Sequence, residues 1–143
     1  MAATESKPSA PGIFSKAKYL SFWGSRLGNE AASLKRNGII ALLTAWLLTL
    51  VWAPCMVIGF HEHHDIIAAI GILAIIGTVF GNIYGQILLT ISNRRASATL
   101  GLKIGGRGGT YPPATPRLYE MWCQRRGLEP YGAITDRNPK SEM

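Results

Sequence analysis

Charge is scarce in this 143-residue chain. Only 16% of its residues are Asp, Glu, Lys or Arg, against about 25% for an ordinary soluble domain. None of its fifteen Lys and Arg residues falls between Asn37 and Asn93. Cysteine is almost missing too, and two residues, Cys55 and Cys123, exclude a disulfide-stapled secreted module. The sequence contains no Gly-Lys-Ser/Thr phosphate loop, nucleophile elbow, dinucleotide fingerprint or paired carboxylates. It is therefore expected to be no enzyme and to take no small-molecule substrate. Neither long apolar stretch holds an Asp, Glu, His, Lys or Arg, which counts against a pump, proton channel or ion-coupled transporter.

The charge that is present is basic and divided between the two ends. Six cations, the last of them Lys35 and Arg36, precede the middle of the chain, and nine, beginning with Arg94 and Arg95, follow it. The arms carry these fifteen against six acids, a net +9. The middle holds only Glu62 and Asp65, which brings the chain to its formal +7. This separation predicts membrane topology, not nucleic-acid binding.

Residues 38–60 and 66–91 are runs of 23 and 26 residues without a charge. At 1.5 Å per residue they reach about 34 and 39 Å, enough to cross a hydrocarbon core of about 30 Å. Lipid offers backbone groups no partners, so both runs are predicted to be α-helices. A connection of five residues, 61–65, makes them antiparallel neighbours. The fold class predicted is an all-α integral membrane protein, a two-helix transmembrane hairpin over 37–93. Lys35, Arg36, Arg94 and Arg95 place both termini on the positive-inside face, against anionic lipid headgroups, with the His/acid turn opposite.

Residues 1–18 are predicted to be an extended arm. Over 19–36, Leu20, Trp23, Leu27, Ala31 and Leu34 recur at helical spacing, an amphipathic helix suited to the membrane interface or to a partner subunit. Residues 94–143 form an extended extramembrane arm. Within it, 96–114 read as a loop, and the glycine-rich run 105–109 reads as a flexible turn. A short helix is predicted over 116–126, with Thr115 as N-cap, Pro116 in the first turn and Gly127 past the end. Neither arm has a core of its own, and both are expected to lie on neighbouring subunits.

The strongest motif is Gly77, Gly81 and Gly85, one glycine every fourth residue, which makes a smooth groove for close helix packing. The chain's own first span, through Ala41, Ala45 and Thr49, or a partner helix are both candidates to fill it. Asn82 and Gln86 on the same span are expected to hydrogen-bond across a helix interface. His61, His63 and His64, with Glu62 and Asp65, are the only cluster with metal-ligand chemistry. A five-residue turn rarely aims three ligands at one centre, so a water-facing turn is the preferred reading. No cofactor is expected beyond a bound lipid such as cardiolipin.

These features predict a non-catalytic accessory subunit of a large membrane complex, whose partners are other subunits and anionic lipid. The preferred host is an energy-transducing complex of the mitochondrial inner membrane, respiratory chain or ATP synthase, with the termini in the matrix. A photosynthetic complex is the alternative host. The alternative functions are a self-assembling pore or transporter, or a metal-handling assembly factor using residues 61–65.

Overall fold

The computed structural model describes residues 12–101, 112–113 and 115–128. Among these residues there are four helices and no strand: α1 (Lys16–Leu27), α2 (Asn29–His61), α3 (Asp65–Thr99) and α4 (Pro116–Arg125). The chain divides into two compact units. One combines Met1–Ser33 with Ser92–Met143; the other is Leu34–Ile91.

In the unit Leu34–Ile91, α2 and α3 pair antiparallel. Gly38 lies against Leu89, Gly81 against Ala45, and Gly59 against Ala68, so positions rise on one helix as they fall on the other. With 33 and 35 residues, the two helices are about 50 Å long. Both are long and apolar enough to cross a membrane. Pro54 lies inside α2, and its missing N–H leaves the Leu50 carbonyl without a helical donor. The connection is tighter than the five residues expected, because His61 still belongs to α2 and Asp65 opens α3. His63 takes the left-handed conformation, φ 53°, and the His64 N–H donates back to the Gly59 carbonyl at 3.0 Å.

The other unit is built around aromatic side chains. Tyr19, Trp23 and Leu27 of α1 are buried with Ala31 and Ala32 of α2, Ala96 and Leu100 near the end of α3, and Tyr119, Trp122 and Cys123 of α4. The Trp23 ring meets Tyr119 edge-on at 5.4 Å and Phe22 edge-on at 5.2 Å, geometries that match the positive ring edge to the negative ring face. The Ser92 hydroxyl donates to the Ala31 carbonyl at 2.6 Å, and Arg95 is paired with Glu30. These contacts change the reading of the arms. α1 and α4 were expected to need a foreign surface, and each supplies one to the other.

Four other boundaries move. α1 opens at Lys16, inside the extended arm expected over 1–18. The helix expected over 19–36 is broken at Gly28, whose φ of 89° ends α1, while residues 29–36 belong to α2. The helical spacing of apolar residues runs straight across this break and so hides it. The loop expected from residue 96 begins later, because α3 continues to Thr99, with Gly101 left-handed at φ 69° just beyond. The helix expected over 116–126 has its last helical residue at Arg125. Gly127 (φ 65°) and Leu128 then close it, with the Leu128 N–H on the Cys123 carbonyl and the Gly127 N–H on the Gln124 carbonyl, the paired bonds of a Schellman motif. The glycine run 105–109, most of the expected 1–18 arm and residues 129–143 lie outside the described residues.

Candidate helix-packing site

The three glycines of the motif all face α2. A methyl group at Gly77 would stand 3.0 Å from Leu48 Cδ1, and one at Gly81 would stand 3.1 Å from the Ala45 Cβ. At Gly85 it would meet Leu42 Cγ at 2.8 Å and the Gly38 carbonyl oxygen at 3.0 Å. The groove is therefore occupied from within the unit, and Ala41 and Ala45 of the small-residue row lie at Gly81. Side chains this close leave no lumen between the two helices, and the contact is one of dispersion between shapes that fit.

Three more glycines belong to the same surface but stand outside the four-residue repeat. Gly38 packs on Leu89 and the Gly85 carbonyl, and Gly71 packs on Met56 and Cys55. Gly59 is the tightest, since a Cβ there would lie 2.7 Å from the Ala68 backbone nitrogen. Gly71, Ala74, Thr78, Gly81, Gly85 and Leu88 recur at spacings of three and four. That seven-residue period is the signal that would have found the seam.

The two amides behave differently. Asn82 Nδ2 donates to the Thr78 carbonyl of its own helix at 3.0 Å, not across to α2. Gln86 lies on the exposed side of α3. The basic residues expected at the headgroups also separate. Arg94 is exposed, Arg36 is half-buried and Arg95 is engaged with Glu30. Lys35, outside the apolar run, is only 4% exposed, and burial lowers its pKa to about 8.

Lys35 gives a pH signature. Its ammonium is charged in the folded state only below about pH 8, whereas an unfolded lysine stays charged to about 10.4. Burying the charge costs stability at pH 7, and the cost fades as pH rises between those values. The stability of Lys35→Met relative to the wild type should therefore be greatest near pH 7 and fall as pH rises towards about 10.5 in detergent melting curves. A difference that stays constant across this range would refute the assignment.

The His/acid turn is exposed throughout. His64 Nε2 approaches Glu62 Oε2 at 3.6 Å, and no group of three His, Cys, Asp or Glu side chains among the described residues converges as a metal site. In the aromatic unit, burial raises the pKa values of Tyr119 and Cys123. This keeps the Cys123 thiol protonated and inert. An open cavity of about 450 Å³ beside the Gly28 break is lined by Asn29, Glu30, Arg95 and Thr99, with its charged groups already paired to each other. Comparison with known proteins returns no match: no family model, no curated protein and no solved structure is similar to this chain.

Proposed function

We propose that this chain is a non-catalytic structural subunit of a multi-subunit membrane complex, inserted as a transmembrane hairpin of α2 and α3. The observation that carries the reading is the self-filled glycine seam, where Gly77, Gly81 and Gly85 close directly onto Leu48, Ala45 and Leu42. A pair packed this way encloses no pathway, and its outward side chains, among them Trp46, Leu50, Leu73 and Phe80, remain exposed for lipid or for neighbouring helices. The aromatic unit is drawn from the segments before Leu34 and after Ile91 and is extramembrane in this reading. The exposed Arg94, together with Arg117, Met121 and Arg125 at four-residue spacing on α4, suits anionic headgroups. The proposed host is an energy-transducing complex of the mitochondrial inner membrane, with both termini in the matrix. That choice rests on the small two-span form and its basic face, not on any residue motif.

Extraction of the tagged chain from mitochondrial membranes in mild detergent, followed by a native gel, tests this reading. Comigration with a large hetero-complex is expected. Recovery only as free chain, or only as assemblies of this chain alone, would overturn it.

A further inference from the structure

Gln86 is left unanswered by the pairing of α2 with α3. It lies on the exposed side of α3, and its amide has no hydrogen-bond partner among the described residues. Its polar neighbours are satisfied: Asn82 donates to the Thr78 carbonyl, and Thr90 donates to the Gln86 carbonyl. Gln86 stands five residues before Ile91, about 7 Å inside the end of the apolar run. Snorkelling does not rescue it. Side chains on a helix lean towards its N-terminus, and for α3 that direction leads away from the nearer boundary at Arg94. The amide is carried deeper, where an unpaired polar group is costly.

Gln86 also belongs to a row. Ile72, Ile76, Val79, Ile83, Gln86 and Thr90 recur at alternating spacings of four and three, the period of a coiled-coil seam. All six are exposed, the four aliphatic ones by 46–53%. Five of the six are β-branched and have little rotamer freedom to lose on packing. Leu73 and Phe80, beside the row, are more exposed at 68% and 67% and are not branched at Cβ.

We propose that this row is a dimer seam and that its occupant is the same row on a second copy of this chain. The proposal rests on the reading of α3 as membrane-spanning. Two copies share one topology, so their α3 helices run parallel and present Gln86 at the same depth. A primary amide carries both a donor and an acceptor, so two facing glutamines exchange two hydrogen bonds across a two-fold axis. Lipid tails offer neither. A single polar residue in an apolar heptad seam sets register and partner number.

Single cysteines in the full chain, in native membranes and a Cys55→Ala background, test the seam under copper-phenanthroline oxidation; Cys123 is fully buried. Ile76→Cys and Ile83→Cys should give disulfide dimers, whereas Leu73→Cys and Phe80→Cys should give few. Adding Gln86→Leu should cut the Ile83→Cys dimer yield about 3- to 10-fold, and Gln86→Asn should restore most of it. Equal yields at Ile83 and Phe80, no dimer, indifference to Gln86→Leu, or adducts with a different chain would each overturn the seam. Carbonate extraction of the same membranes separates the two readings. A chain that is released ends the membrane reading and this one together, while a chain retained without dimers ends this one alone.

Discussion

Leucine at Gly85 is expected to force α2 and α3 apart and to lower the stability of the helix pair by more than about 3 kcal/mol. Even a methyl group there meets Leu42 Cγ at 2.8 Å and the Gly38 carbonyl at 3.0 Å. The second of these is backbone and cannot swing aside. Gly81→Leu meets Ala45 Cβ at 3.1 Å and the Ala41 carbonyl at 3.5 Å and should be nearly as damaging. Gly81→Ala asks only for a small shift and should cost about 1 kcal/mol. The comparison is with Leu50→Ala, an outward residue 72% exposed, whose loss should barely register. Thermal melting by circular dichroism in mild detergent reads all four variants. A Gly85→Leu protein that melts with the wild type would mean that the seam holds nothing together.

Removing the Trp23 side chain should cost about 3–5 kcal/mol, because this residue is 1% exposed at the centre of the aromatic cluster. Its ring touches Phe22, Tyr19 and Tyr119, so Trp23→Ala strips three aromatic contacts and leaves a large void. The cleanest readout is chemical. Cys123 is fully buried and its thiol pKa is raised, so maleimide reaches it only when α4 detaches. In Trp23→Ala, with Cys55→Ala to remove the second thiol, the labelling rate should rise at least about 100-fold, the factor that corresponds to about 3 kcal/mol. Phe22→Leu, on a half-buried neighbour, should raise it far less. Unchanged labelling in Trp23→Ala would show that α4 is held by something other than this cluster.

Some features are written in the residues directly, and for a local reason. Two runs of more than twenty apolar residues cannot leave their backbone groups unpaired, so helix is dictated wherever those runs lie in lipid or pack on each other. The start of α4 and the glycine that stops it were equally legible, because Pro116 and Gly127 act through their own φ and ψ angles, although the Thr115 side chain makes no capping bond. The extension of α3 beyond Arg94 and Arg95 was missed because those cations mark a membrane boundary, which a helix can overrun. Ala96, Ala98 and the glycine at 101 were the available signal.

The partner in the glycine groove lay beyond local pattern. Gly77, Gly81 and Gly85 announce a close approach, but only the register of α2 against α3 selects Leu48, Ala45 and Leu42 to meet them. Gly38, Gly59 and Gly71 depend on the same register and are unremarkable in the one-dimensional string. Lys35 looked like a headgroup cation because charge is read from the sequence and burial is not. Trp23 and Tyr119 are 96 positions apart, and no periodicity reaches across that interval. Composition and local dihedral preference settle which segments become helices and where charge collects; which faces meet, and which charge is buried, is settled by packing between segments distant along the chain.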